Sequence, residues 1–294
     1  MKKLADTELI LSGNKIYHLD IGADDIADTI LTVGDPRRVQ KVAQYFDSID
    51  FKHEHREFVT QTGYFNKKRL TVLSTGMGTQ NIDIVLNELD ALINIDFKTR
   101  TINNKLRSLN IIRLGTTGAL QSTIPLNSFI VASHAIDLTG ILLYYNPKQN
   151  TEEAELTQKF SAYMKGRLPE TPLLAYAGDR EIVESFLTHP QCIEGITVTC
   201  HGFYTPQGRP LRLGEMPFNF AEYLANFQFN NISLTNLEME TAALYGLSKL
   251  LDHRCCSINV VIANRITKQF TSSLEFAEKQ LIEFSLEAIT ATSL

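Results

Sequence analysis

Arg113 sits inside Ile-Ile-Arg-Leu-Gly-Thr-Thr-Gly-Ala-Leu, residues 111–120, where every neighbour before it is apolar. A guanidinium in such a stretch is costly unless something anionic meets it. The partner is either an internal carboxylate or an anionic ligand. Thr116, Thr117 and Gly118 follow at once; hydroxyls and freed backbone N–H groups beside a glycine are the parts of an oxyanion site. The segment reads as a short buried strand that breaks into a loop at Gly115.

Three other clusters could do chemistry with it. Gly34-Asp35-Pro36-Arg37-Arg38 follows a β-branched run, Thr29 to Val33. Asp35 suits an N-cap and Pro36 the first helical position, so a helix should start here and run to about Phe46, its N-terminus open to an anion. Arg38 lies in that first turn. Phe203, Gln207 and Arg209 share one loop. An aromatic face beside an amide and a guanidinium fits a planar heterocycle, the ring stacking and the polar pair reading its edge. Glu238 and Glu240 lie two apart. Thr235 to Glu238 reads as a capping box opening a helix to about Leu251, in which one carboxylate caps while the other faces a ligand.

The elements that must hold these groups alternate strand and helix. Leu70 to Ser74 leads through Thr75-Gly76-Met77-Gly78-Thr79 into a helix with Ile82, Val85, Leu86, Leu89 and Leu92 on one face. A lone GxG without a downstream acidic partner is no dinucleotide fold. Ile16 to Ile21, with His18, reads as extended. His53 to Phe58 reads as a strand with Arg56 and Phe58 on one face and Glu57 on the other; its His and Glu spacing matches no zinc array. Asp96 to Asn110 reads as a solvated excursion. Ser257 to Ala263 is a buried strand ending at Asn264-Arg265, and the last amphipathic helix begins near Ser272.

Composition sets the outer limits. The 294 residues are 44% hydrophobic and 21% charged, ordinary for a soluble globular chain. No linker or repeat divides them, so one domain over 1–294 is expected. Four cysteines without CxxC spacing suit free thiols in a reducing cytoplasm. No apolar run is long enough for a bilayer. A net charge of −5 argues against nucleic acid as partner.

In order, Gly34 to Arg38, His55 to Phe58, Ser74 to Gly78, Arg113 to Gly118, Phe203 to Arg209, Glu238 to Glu240 and Asn264-Arg265 resemble the nucleoside phosphorylases of the hexameric type, and within them the members that act on uridine. The resemblance runs from about Tyr17 to the last helix. It implies an α/β fold, a mixed sheet closing towards a barrel with helices around it. The implied activity is phosphorolysis of uridine to uracil and ribose 1-phosphate, a pentosyltransfer in pyrimidine salvage. Catalysis would fall to Arg113, Glu240, Gln207 and Arg209. Phosphate, the co-substrate, would be held by Gly34, Arg38, Arg113, Thr116 and, across a dimer interface, Arg56. Ribose would meet Thr116, Met239, Glu240 and His18, which crosses the same interface. The base would meet Thr117, Gly118, Phe203, Gln207, Arg209, Glu238, Ile262 and Arg265. The implied assembly is a homo-oligomer of dimers with shared sites, a hexamer in the family.

No redox cofactor is required. Glu57 leaves open a monovalent cation such as potassium nearby, while Asn81, where bacterial members carry Ser, counts against it. Leu237 stands where uridine-cleaving members often carry Tyr. The alternatives are a purine phosphorylase, a nucleosidase and a non-enzymatic nucleoside-binding protein. Purine enzymes place an Asp where Asn264-Arg265 stand; water needs no arginine clamp; and a binding protein needs no phosphate set.

Overall fold

The computed structural model describes residues 3–169, 172–214 and 218–291. Its centre is a 12-stranded sheet, five strands of which close on themselves. Asn110–Ala119 runs parallel to Arg254–Asn264, which pairs antiparallel with Phe129–Asp137. That strand runs parallel to Cys192–Thr199, and Cys192–Thr199 to Ile232–Glu238. Ile232–Glu238 returns antiparallel to the first strand through Asn236↔Ala119 and Leu237↔Gly118. The expected barrel is therefore present. Closure removes the free edges that an open sheet would leave.

The first barrel strand also belongs to an open wing. Its first half, Asn110 to Arg113, pairs with Thr29 to Thr32. Beyond lie Lys68–Ser74, Phe58–Phe65 and Ser48–His55. The strand thus changes partner on one edge between Arg113 and Gly118, and the wing and barrel fork there. Crevices at such switch points are where ligands bind in α/β sheets.

Helices cover both faces. Thr79–Asn94 and Thr241–Leu250 pack over one, burying Val85, Leu86, Leu89, Leu244 and Leu247. Pro36–Ala43, Arg180–Leu187 and Leu274–Ala291 pack over the other with Val39, Val42, Ile182, Leu281 and Leu286. Asp35 caps the Pro36 helix as expected, accepting from Arg37 N–H at 2.9 Å. The helix stops at Ala43, short of Phe46, although Phe46 still packs beneath it.

Four local expectations fail. Gly115 to Gly118 does not break into a loop: the strand continues to Ala119, paired along its length with Arg254–Asn264. The glycines serve close approach instead, since a Cβ on Gly115 would lie 2.0 Å from Asn259 Oδ1. Thr235 opens no helix; Ile232–Glu238 is a barrel strand and the helix begins at Thr241. Barrel pairing overrides a short capping pattern. Arg56 and Glu57 lie not in a strand but at the two-residue tip of a hairpin, with Arg56 at φ +56°. Ile16 to Ile21 is extended only through Ile16, which ends a two-residue strand, and then turns.

The Asp96 to Asn110 excursion is partly ordered by pairing. Ile95–Asp96 and Thr101–Ile102 form a small ladder. Arg100 at its tip donates to the carbonyls of Leu4, Ala5 and Leu9, fastening the N-terminal segment.

Candidate active site

A cavity of about 510 Å³ opens at the fork between wing and barrel. Gly34 and Arg38 reach it from the wing side. Arg113, Thr116, Thr117 and Gly118 reach it from the switching strand. Glu238, Met239 and Glu240 come from the corner between the last closing strand and its helix, and Phe203, Gln207, Arg209 and Ile262 form the far wall.

Arg113 settles its pairing both ways. Its side chain is 5% exposed, and Nη2 donates to Glu240 Oε2 at 2.5 Å, with Glu238 Oε2 at 3.6 Å from Nε. Internal carboxylates do meet it. Yet Nε and Nη1 are buried with no hydrogen-bond partner. Unmade donors on a buried guanidinium are expensive unless a ligand supplies acceptors.

Arg38 repeats the pattern. Nη2 donates to Glu278 Oε1 at 2.5 Å and Nη1 to the Leu114 carbonyl at 3.3 Å, while buried Nε has no partner. Leu114 lies on the strand edge freed at the fork. Glu278, on the last helix, also accepts from Lys41 at 2.7 Å. Burial alone would raise its carboxyl, but Lys41 and Arg38 outweigh that and hold it below the usual range.

Two residues apart, the glutamates divide their work. Glu238 Oε2 accepts from the N–H groups of Glu240 and Thr241 at 2.9 and 2.8 Å, and Oε1 from the Thr199 hydroxyl at 2.6 Å. It caps the helix from the strand end. Burial, then the charge of Glu240, push its carboxyl up to about 7 against the pull of Arg113. Glu240 provides no cap; besides Arg113 it accepts from Gly78 N–H at 2.7 Å. Gly78 has φ +92°, so the Gly-Met-Gly turn offers its N–H in a conformation that suits glycine.

On the far wall Gln207 is buried and Phe203 half-exposed. Arg209 Nη1 donates to Gln207 Oε1 at 2.5 Å, and the guanidinium lies 4.0 Å from the Phe203 ring centroid. Burial, then the neighbouring Arg265, lower Arg209 to about 10. Arg265 donates to the Gly208 carbonyl at 3.1 Å and would contact a Cβ on Gly118 at 3.4 Å. It backs the wall rather than lining it. Asn264 is committed to structure, donating to the Gln121 and Ile124 carbonyls and accepting from Ile266 and Thr267 N–H.

Besides Arg265, two expected residues stand outside their own chain's cavity. Arg56 donates to the Tyr17 hydroxyl at 3.3 Å, and the Tyr17 ring lies edge-on to the His18 ring at 4.8 Å. His18 and Arg56 thus share one patch. Glu57 is exposed at the cavity mouth. Among the described residues no group of three or more His, Cys, Asp or Glu could hold a metal.

Sequence reasoning missed Phe270, Met77 and Gly76, which line the mouth, and Glu278 and Gly78, which orient site groups. Only the Gly-rich turn carried a signal. Phe270 is a lone aromatic after the last barrel strand.

The Phosphorylase superfamily model matches residues 28–291. The chain is 30% identical to a uridine phosphorylase of Thermococcus kodakarensis over 93% of this chain and 85% of that one. It is 26% identical to a DeoD-type purine nucleoside phosphorylase of Caldanaerobacter subterraneus over 88% and 92%. A Trypanosoma brucei nucleoside phosphorylase, whose crystal structure is described as showing uridine phosphorylase activity, superposes with a TM-score of 0.87 at 29% identity, covering 97% of this chain and 100% of that one. The matched span takes in the fork, both arginines within it, the glutamate corner and the aromatic wall, and with it the chain belongs to the phosphorylase superfamily.

Proposed function

We propose that this chain is a pentosyltransferase that cleaves uridine with inorganic phosphate, releasing uracil and ribose 1-phosphate. The observation that carries this reading is Arg113: it lines the cavity, one of its nitrogens holds the carboxylate of Glu240 there, and two others are buried with no hydrogen-bond partner. A ribose bound by Glu240 and a phosphate bound by Arg113 then meet side by side.

Phosphate is held by Arg113, Arg38, Gly34 and Thr116, with Arg56 of a second copy completing the clamp. Glu240, Met239 and Thr116 fix the ribose. Phosphate oxygen attacks C1′ as the glycosidic bond breaks and its electron pair leaves with the base. Positive charge grows on the sugar between phosphate and Glu240, and negative charge on the uracil. Gln207 and Arg209 stabilise the departing base, Phe203 supplies a face, and Thr117, Gly118 and Ile262 close the pocket, with Glu238 and Arg265 behind it. No step runs through a metal or redox cofactor.

Asn264 favours pyrimidine over purine. All its hydrogen-bonding capacity is spent on backbone, so the acid a purine N7 would need is missing there. The shared Tyr17–His18–Arg56 patch, outside its own cavity, supports a homo-oligomer whose sites are completed by neighbours. Four free cysteines support a reducing, cytoplasmic setting, and no helix among the described residues is long and apolar enough to cross a membrane.

The test is incubation with uridine, thymidine and inosine, with and without phosphate, measuring released base. Uracil release that requires phosphate is expected. Equal release in phosphate-free buffer would make the protein a hydrolase; cleavage of inosine alone would make it a purine enzyme.

A further inference from the structure

Glu278 does not line the cavity, yet from the last helix it holds one of the arginines that do. Its side chain is 6% exposed, where a carboxylate is costly without partners. Both oxygens are taken by cations of the Pro36–Ala43 helix. Oε1 accepts from Arg38 Nη2 at 2.5 Å and Oε2 from Lys41 Nζ at 2.7 Å. Arg38 and Lys41 are i and i+3 on that helix, so one turn brings both to one carboxylate. Arg38 Nη1 donates to the Leu114 carbonyl of the switching strand. A guanidinium is planar, so gripping both of its ends from two different elements fixes its plane. A second tie joins the same stretches: Tyr45 donates to Glu283 Oε1 at 3.1 Å, and neither of these lines the cavity.

A carboxylate beside an anion site opposes binding by its charge. Here two cations share it, so the cluster keeps one net positive charge. We propose that Glu278 is a positioning residue for phosphate: it fixes the Arg38 guanidinium at the cavity, while Lys41 offsets its charge so that Arg38 still meets an anion. This rests on the phosphorolysis reading. Glu278→Gln breaks the arrangement, because an amide has one acceptor oxygen for two cations and turns an NH₂ towards one of them.

The experiment measures KM for phosphate, KM for uridine and kcat, together with protection by inorganic phosphate in thermal melts. It compares wild type, Glu278→Gln, Lys41→Met, Tyr45→Phe, Arg38→Ala and the Arg38→Ala/Glu278→Gln double variant. Glu278→Gln should raise KM for phosphate about tenfold, the loss of one charge-assisted hydrogen bond, with KM for uridine and kcat at saturating phosphate near wild type. Lys41→Met should act in the same direction and less strongly; its side chain is 44% exposed, and it carries the test if the Gln variant does not fold. Tyr45→Phe cuts the other tie and should leave KM for phosphate unchanged. The double variant should be no worse than Arg38→Ala alone. An unchanged or lowered KM for phosphate in Glu278→Gln overturns the proposal. So does a loss shared equally with uridine, or an equal loss in Tyr45→Phe, since either would make Glu278 only a link between helices. An unchanged Lys41→Met overturns the charge offset. Uracil release by wild type without phosphate overturns the phosphorolysis reading instead; the melts need no turnover, and weaker phosphate protection in Glu278→Gln would then still support its hold on Arg38.

Discussion

Arg113 and Glu240 sit 127 residues apart in the chain and 2.5 Å apart in the fold, a charge pair with both side chains 5% exposed. The pair joins the switching strand to the corner that opens the Thr241–Leu250 helix. Buried pairs of this kind contribute little to stability by themselves, because desolvation cancels most of the attraction. Their value here is geometric: each partner holds the other in a fixed direction while both face the same cavity.

The far wall should govern the base and leave phosphate alone. Gln207 and Arg209 are joined to each other, not to Arg113 or Arg38. Gln207→Ala or Arg209→Ala should lower uridine turnover by roughly a hundredfold or more, the cost of one preorganised donor. Protection of the folded state by phosphate in thermal melts should stay near wild type. Wild-type turnover in both variants would mean that the wall is only a surface loop.

The Tyr17–His18–Arg56 patch predicts shared sites. Arg56→Ala and Glu240→Ala should each be inactive as pure assemblies. Mixed after subunit exchange, they should regain activity, because some hybrid sites then combine an intact arginine with an intact glutamate. If exchange is verified by mass and activity stays absent, the sites are not shared.

Glu238 predicts a pH-dependent term in stability. Its carboxyl titrates at 4.5 when unfolded and about 7 when folded. Between those values the folded chain holds a proton that the unfolded chain has released, so stability falls as pH rises. The contribution is full below 4.5 and lost through about 7. The melting temperature of wild type minus that of Glu238→Gln should therefore decline across this window and flatten above it. A difference that is level from pH 4.5 to 7.5 would contradict the raised value.

Gly115 predicts a steric cost that a second change relieves. Gly115→Ala should destabilise by about 1–3 kcal/mol, the range for overpacking, because its Cβ meets Asn259 Oδ1. Asn259→Ala in the same chain should recover part of that loss in denaturant melts. Additive losses would place the strain elsewhere.

Local chemistry was legible wherever it was complete within a few residues. Asp35 and Pro36 announce their helix, the spacing from Ile82 to Leu92 announces the next, and the β-branched run before Gly34 announces a buried strand. Three misreadings share one cause. Gly115 to Gly118 stays a strand because Arg254–Asn264 pairs with it, and Thr235 to Glu238 is a strand because the barrel closes there. The tip at Arg56 depends on Phe58–Phe65 folding back on Ser48–His55. In each case the deciding partner is elsewhere in the chain, and pairing overrides local propensity. The site residues were legible as types in a recurring order, whereas the partners that aim them were not. Glu278 lies on an amphipathic helix where a glutamate is unremarkable, and only the fold brings it to Arg38.

The Arg38–Glu278 pair spans 240 residues, which bears on when the protein can first work during its own synthesis. At about 5–20 residues per second, the ribosome needs roughly 12–48 seconds to travel from one partner to the other. Until the final helix has emerged, the guanidinium at the wing lacks its counter-ion and the anion pocket is unfinished. A nascent chain that has already closed its barrel would still have Arg38 without Glu278 and Lys41 without its partner. Completion of the pocket is therefore tied to arrival of the last helix, and a product truncated before Glu278 would lack both this counter-ion and the apolar face, Leu281 to Ile289, that covers the sheet.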